Sequence, residues 1–376
     1  MKILITLSYY TPNVSGLTYH AKVVAEELVR KKHQVEVIAS NYLKTFSKYK
    51  KENGVLVKSI WTPILLGRGP IMPTYFVESF FSVKNADAVN CHLPQFEAIF
   101  PIMWAKMLGK KVLITYHCDL ANWGGLVNQL TEKVTLISHF IACSLADVIW
   151  VSTKDYAESS KMLQHFKRKL VYHYPPIKFM KSNKNPISKW KNVKYKIGYV
   201  GRIAKEKGMN YLLESKNYLK KKLGSNFKIF IVGPSSDVIG GGESELNDLL
   251  IKYKNEIVVL GKLSDDDLFG FYKNIDVLVL PSTQSLESFG TVQVEAMLSG
   301  CPVVASDLPG VRVPVEITKM GEVVPVKDSI AISKAIVKII KNKTKYLEIH
   351  KNLNKLFSLE VVINNYEEIY KNLLKK

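Results

Sequence analysis

Short, unbroken apolar runs alternate with helix-length segments along almost the whole of this 376-residue chain. Lys2–Leu7 (KILITL) is the first run. A turn-rich loop follows at Tyr9–Gly16 (YYTPNVSG), then a predicted helix over about Leu17–Lys32 and a second run at Gln34–Ala39. A strand buried on both faces has no polar side to alternate, so such runs belong to a parallel sheet covered by helices. Parallel neighbours need a crossover, and the strand–helix–strand spacing supplies one. Further runs lie at Ala86–Cys91, Lys111–Tyr116, Asp147–Ser152 and Leu170–Tyr174. The pattern stops at Lys178–Lys194 (KFMKSNKNPISKWKNVK), a Lys- and Asn-rich stretch with a Pro that reads as a linker. It resumes at Tyr195–Val200, Phe227–Val232, Ile257–Leu260, Asp276–Leu280 and Pro302–Ala305. A last helix is predicted over about Glu360–Leu374, with Val361, Ile363, Tyr366, Ile369, Tyr370 and Leu373 at helical spacing. Two α/β domains are expected, as suits a chain too long for one ordinary core.

The net charge of +20 is spread over the chain: residues 1–180 carry 22 Lys or Arg against 12 Asp or Glu. Nucleic acid, anionic lipid and phosphorylated small molecules are all compatible with it. A nucleic-acid module would show a basic, aromatic stripe with a reader motif, and none is present, so no nucleic-acid partner is expected. Cys91, Cys118, Cys143 and Cys301 are too far apart in sequence for a metal motif, and a disulfide framework does not suit this size. A reducing, cytoplasmic setting is expected. Met1 leads directly into an apolar strand with no charged-then-apolar leader, so no export signal is expected. The longest apolar segment, Val134–Val151, is broken by His139 and Asp147, which argues against a membrane span.

The stretch Leu278–Ser306 (LVLPSTQSLESFGTVQVEAMLSGCPVVAS) reads as strand, loop, short helix, strand. Gly290 opens the helix, and Ser299-Gly300 closes it. The helix is apolar nearly all round (Val292, Val294, Ala296, Met297, Leu298) yet carries Glu295. A buried carboxylate needs a partner, which can be a basic side chain or a ligand hydroxyl. Free N–H groups at Phe289, Gly290 and Thr291 lie beside a Gly and could meet an anion. A capped core helix whose Glu meets a Lys or Arg is the plainer alternative.

The second half opens with a strand and then GRIAKEKG, Gly201–Gly208. A turn after a strand with Arg202, Lys205 and Lys207 can hold phosphate, or can be a solvated basic turn. It is not a Walker A loop, because no GxxxxGK[ST] occurs in the chain.

Taken together, strand-GRIAKEKG, VVLGKLSDDDLFGFYKNIDVLVLPS and ESFGTVQVEAMLSGCPVVAS resemble the donor-binding domain of the GT-B glycosyltransferases of family 4. Glu287 and Glu295 match that family's E-x7-E motif. YYTPNVSG, the helix after it and KKHQVEVIAS resemble its opening loop, helix and His-Val strand. LITYHCDL sets His117 where the family has an active-site His. The resemblance covers essentially the whole chain. It implies an α/β fold of two Rossmann-like domains facing each other across a cleft. The first domain would span 1–178 and be completed by a helix at 358–376. A linker at 179–194 and a donor domain at 195–357 would follow.

The resemblance also implies roles. Arg202 and Lys207 would bind the donor diphosphate and hold the charge that develops on the leaving group. Glu295 would hydrogen-bond the ribose. Glu287 and the backbone of Ser288, Phe289, Gly290 and Thr291 would hold the donor sugar and its phosphate. His117 would reach the sugar or acceptor, Gly16 would let backbone approach the diphosphate, and Gly261 and Lys262 would meet the base. No metal and no further cofactor are implied. The sequence departs from the family at Ser15, where paired glycines are common, and at HYPPIKF, Tyr174–Phe179 in that run, which lacks the usual hinge Gly.

Other residues carry less. Asp265-Asp266-Asp267 contains a DxD, but it follows Ser264 and opens a helix, so capping explains it. His20, His33 and His139 are expected to be structural. His92 ends a strand and either lines the cleft or is structural. Asp119 either orients the site or caps a helix. No GxSxG elbow is present.

The expected reaction moves a hexose from a nucleoside diphosphate to a glycan, lipid-linked or small-molecule hydroxyl with retention. Cell-surface polysaccharide or glycolipid assembly is its expected setting. A nucleotide-sugar epimerase or a non-catalytic nucleotide-sugar binder on the same fold is the alternative. Trp61, Phe76, Phe80, Phe81, Lys48, Lys50 and Lys51 fall in the less regular segments of the first half and could meet an anionic membrane surface as a peripheral protein, or be ordinary core and solvated charge.

Overall fold

The structure, a computed structural model, describes residues 1–13, 15–66, 69–120, 126–233, 250–347 and 353–375. Val14 of the opening loop lies outside them. The chain forms two compact units, Met1–Pro176 with Leu359–Lys376, and Ile177–Ser358.

The first unit is built on a sheet with order β10-β9-β8-β7-β1-β2-β4-β3. Its strands are β1 (Lys2–Thr6), β2 (Gln34–Ser40), β3 (Tyr49–Glu52), β4 (Val55–Ile60), β7 (Ala88–Leu93), β8 (Lys111–Tyr116), β9 (Val148–Val151) and β10 (Leu170–Tyr172). A hairpin, β5 (Ile64–Leu66) with β6 (Gly69–Ile71), stands apart from the sheet. All sheet neighbours are parallel except β3, which runs antiparallel to β4 at the edge. The central strands are buried on both faces. Ile3, Ile5 and Leu7 pack with one set of residues, and Leu4 packs with another. Each such buried aliphatic side chain contributes roughly 1.5–3 kcal/mol relative to exposure.

Helix α1 (Gly16–Arg30) follows β1 and is capped by Ser15, whose hydroxyl accepts the Thr18 N–H at 3.1 Å. The helix Leu359–Lys375 packs in the same unit through Val362, Ile363, Tyr366, Tyr370 and Leu373. Phe76, Phe80 and Phe81 are helical and not irregular: they lie in Tyr75–Asn85, where Phe76 and Phe80 meet the Trp104 ring at 4.7 and 5.0 Å. Lys50 and Lys51 lie on β3.

The second unit has β11 (Tyr195–Val200), β12 (Phe227–Val232), β13 (Ile257–Gly261), β14 (Val277–Leu280), β15 (Val303–Ser306) and β16 (Gly321–Val324), in the order β13-β12-β11-β14-β15-β16 and all parallel. In this unit's own numbering that is 3-2-1-4-5-6, the doubly wound nucleotide-binding order. The connections leave in opposite directions from β11 and β14, and ligands of such sheets bind beyond the strand ends at that switch. Residues 179–194, read from the sequence as a linker, are counted in this unit. Ile187 is buried, and the Trp190 ring meets Phe230 edge-on at 5.5 Å.

Candidate donor site and its family

The loops after β11 and β14 carry the basic turn and the first glutamate of E-x7-E. They are laced together by hydrogen bonds. The Thr283 N–H and hydroxyl both donate to the Glu206 carbonyl, at 2.9 and 3.1 Å. The Tyr199 hydroxyl, from the end of β11, donates to the Arg202 carbonyl at 2.7 Å. Gly208 follows with φ 65°, and a Cβ there would stand 2.0 Å from the Pro281 carbonyl oxygen. Only glycine permits this approach of the two loops.

The charged side chains are brought into pairs. Lys207 Nζ donates to Glu287 Oε2, and both side chains are about four-fifths buried. Arg202 donates to Glu206 at 3.2 Å. The Glu206 carboxylate is buried, so the guanidinium neutralises a charge that is otherwise costly. Lys205, between them, is exposed.

Glu295 is buried on the helix Thr291–Leu298. Its partner is neither Lys nor Arg: the Tyr272 hydroxyl donates to Glu295 Oε2 at 2.9 Å. Burial pushes the Glu295 carboxyl up to about 7, against the Tyr272 bond, which favours the charged form. Gly290 caps the helix in the left-handed region, φ 75°. A Cβ there would meet Leu280 Cδ2 at 2.5 Å and Gln293 Nε2 at 2.8 Å, so the glycine serves the turn and its packing. Ser288 and Thr291 are half-buried, and Phe289 is buried edge-on to Phe357. Two buried polar atoms here, Ser282 Oγ and Gln293 Oε1, have no hydrogen-bond partner among the described residues. Gly261 is half-buried, with its carbonyl accepting the Gly233 N–H at 2.9 Å, and Lys262 is exposed.

His117 and Gly16 lie in the first unit. Gly16 is exposed in the first turn of α1, with open space where a Cβ would stand. His117 follows β8, and its Nε2 lies 2.9 Å from His92 Nδ1. His20, expected to be structural, is buried with its ring edge-on to His117 at 4.9 Å. His139 is buried and its Nε2 accepts the Gln95 N–H at 3.2 Å. Asp119 accepts from the Tyr116 and Ser160 hydroxyls at 2.6 and 2.7 Å, which fixes the loop behind His117. Ser264 caps the helix Asp265–Asn274 by accepting the Asp267 N–H, and Lys184 pairs with Asp266 and Asp267 at 3.3 and 3.5 Å.

Sequence reading alone missed Glu206, Tyr199, Tyr272 and Thr283. Glu206 is the sole acid of GRIAKEKG, and its place between two lysines was the available signal.

This site stands on a fold with known relatives. The family described as Glycosyl transferases group 1 matches residues 180–356. Glycosyltransferase Family 4 matches residues 14–176. The two units make the GT-B fold, and the chain belongs to the GT-B glycosyltransferases of family 4 type. An uncharacterized glycosyltransferase of Methanocaldococcus jannaschii, MJ1607, is 28% identical over 326 residues, 82% of this chain and 81% of the relative. The capsular polysaccharide biosynthesis glycosyltransferase CapM of Staphylococcus aureus is 32% identical over 189 residues, 49% of this chain and 48% of the relative. Among solved structures, Anabaena HepE in complex with UDP superimposes with a TM-score of 0.76 at 17% identity, covering 99% of this chain and all of that one.

Proposed function

We propose that this glycosyltransferase moves a hexose from a nucleoside-diphosphate sugar to a hydroxyl of a glycan or lipid-linked acceptor, with retention of anomeric configuration. The observation that carries the reading is the pairing of Lys207 with Glu287, beside Arg202, at the switch point of the second sheet. An anion at that point meets two fixed cations and does not require a metal. Arg202 and Lys207 hold the charge released on the diphosphate, where stabilisation counts most. Glu287 orients Lys207 and then the donor sugar. Glu295 takes the ribose hydroxyls. His117 contacts the sugar or the acceptor.

In the proposed step the bond between the anomeric carbon and the phosphate oxygen breaks. The acceptor oxygen bonds to the same carbon from the same face, and its proton passes to the departing phosphate. The UDP complex of HepE favours UDP as the nucleotide to offer first, and the name of CapM favours polysaccharide assembly as the setting. Among the described residues no helix is long and apolar enough to cross a membrane. A lipid-linked acceptor would be met from the cytoplasmic face. The exposed Trp61, Phe76 and Phe81 of the first unit are suited to a peripheral contact with anionic lipid.

The test is a thermal-shift panel of UDP-, GDP- and ADP-sugars, followed by turnover of the stabilising donor with EDTA present. A ligand at about 100 times its Kd should stabilise by roughly 2.7 kcal/mol. No shift with any nucleotide sugar overturns the reading. Loss of turnover in EDTA overturns the metal-independent form of it. Liposome flotation with anionic lipid tests the membrane contact, and absence of binding at low salt refutes it.

A further inference from the structure

The first unit holds a buried chain of polar groups that ends at His117. Asn90 and His92 share one face of β7, and Thr115 stands opposite His92 on the parallel β8. All three are fully buried. The Thr115 hydroxyl donates to Asn90 Oδ1 at 2.9 Å. The Asn90 amide donates to His92 Nε2 at 3.4 Å. His92 Nδ1 lies 2.9 Å from His117 Nε2, with the ring centroids 5.1 Å apart and the ring planes 28° apart. Behind Thr115, the Tyr366 hydroxyl lies 3.2 Å from Thr115 Oγ1 and 2.8 Å from His20 Nε2.

Burial keeps all three imidazoles neutral: His20 and His92 are held well below the usual range, and His117 is pushed down to about 3. A neutral imidazole carries one N–H and one lone pair, so the bond at one nitrogen fixes the role of the other. With Asn90 Oδ1 turned to Thr115, its N–H faces His92 Nε2, which must accept. His92 then carries its proton on Nδ1 and donates it to His117 Nε2. The His117 proton is thereby left on Nδ1. The reverse order needs the Asn90 amide turned over, with its N–H toward Thr115.

The geometry points to His92 as a positioning residue that holds His117 in the Nδ1–H tautomer, so that His117 meets its ligand as a hydrogen-bond donor and not as a base. The natural acceptor is a hydroxyl or phosphate oxygen of the donor or acceptor substrate. This rests on the proposed part of His117 in transfer, while the tautomer itself can be measured without turnover.

Two substitutions separate positioning from packing. His92→Leu removes the donor. His92→Asn sets an amide N–H where Nδ1 stands. In the full-length chain with ¹⁵N-labelled imidazoles, the His117 signals, assigned by their loss in His117→Ala, should show a protonated Nδ1 and an unprotonated Nε2. A protonated Nε2 in the unsubstituted protein overturns the assignment. With UDP-glucose as the probe, His92→Leu should lower kcat about 10- to 100-fold, the scale on which removing the hydrogen-bond partner of a metal-bound histidine acts. His92→Asn should regain most of that loss at a similar melting temperature. Equal loss in both variants at equal melting temperatures also overturns it. Inactivity of the unsubstituted protein toward every nucleotide sugar, with His117 still protonated on Nδ1, refutes the transferase step while upholding the tautomer.

Discussion

The Tyr272 hydroxyl donates to Glu295 at 2.9 Å within the second unit, while burial pushes the carboxyl up to about 7 against that bond. The pKa is raised from 4.5 to about 7, so the folded state binds this proton more tightly than the unfolded chain. That stability is fully present below about pH 4.5 and is lost as pH rises through about 7. The gap corresponds to about 3 kcal/mol at most. Glu295→Gln, compared with the unsubstituted protein in urea unfolding at pH 5 and pH 8, should show a flatter dependence. Tyr272→Phe should raise the carboxyl further. Parallel pH profiles for all three proteins would refute this account of Glu295.

Nucleotide binding should then be coupled to protons. Ribose hydroxyls that donate to Glu295 favour its charged form, so binding below about pH 7 should release a proton. Calorimetry with UDP at pH 6, in buffers of different ionisation heat, reads that release directly. A binding heat independent of buffer, with UDP bound, would remove Glu295 from the ribose.

Lys207→Ala should lower kcat by roughly 30- to 1000-fold, about 2–4 kcal/mol of transition-state stabilisation, judged from deletions of single charge-stabilising donors. Turnover near that of the unsubstituted protein would sink the assignment of Lys207 to the leaving diphosphate.

The two site glycines should behave oppositely. Gly208→Ala places a methyl 2.0 Å from the Pro281 carbonyl oxygen at a positive φ, so the loop must open. A loss on the order of 2 kcal/mol, or roughly 4–8 °C in Tm, is expected. Gly16→Ala adds a methyl in open space at the start of a helix. Its Tm should stay within about 2 °C, while UDP affinity falls if backbone at that position approaches the diphosphate. A destabilised Gly16→Ala, or a Gly208→Ala as stable as the parent, would contradict these geometries.

The central strands were legible because they are buried on both faces and therefore continuous in apolar residues. The edge was not. Tyr49–Glu52 is almost wholly exposed and Lys-rich, and Val55–Ile60 carries Lys58. Lys58 breaks the apolar run of that strand, yet it is buried against the Glu78 carboxylate and carbonyl, both at 2.9 Å. Gly321–Val324 is too short to leave a run, and its place depends on β15 beside it. In the site, Arg202, Lys207, Glu287 and Glu295 stood out by charge and spacing. Glu206 and Tyr272 did not, because each is tied to a partner in another element, the Glu206 carbonyl to Thr283 and the Tyr272 hydroxyl to Glu295. The Asn90–His92–His117 series was hidden for the same reason: sheet register makes it, and register is not written in any one strand.

The helix Leu359–Lys375 completes the first unit although the whole of the second is made before it. On the ribosome, the cluster that joins Ile3, Ile5 and Leu7 of the first unit to Val24 and Leu28 of α1 stays incomplete until Val362, Tyr366 and Leu373 have emerged. Domains generally fold as units, so a missing segment leaves the unit incomplete. A chain that stalls after the nucleotide-binding half can hold a folded second unit beside an unfinished first one. Such a product would lack the Tyr366 hydroxyl behind Thr115 and His20, and protein quality control would meet it as a chain with one unit unfinished.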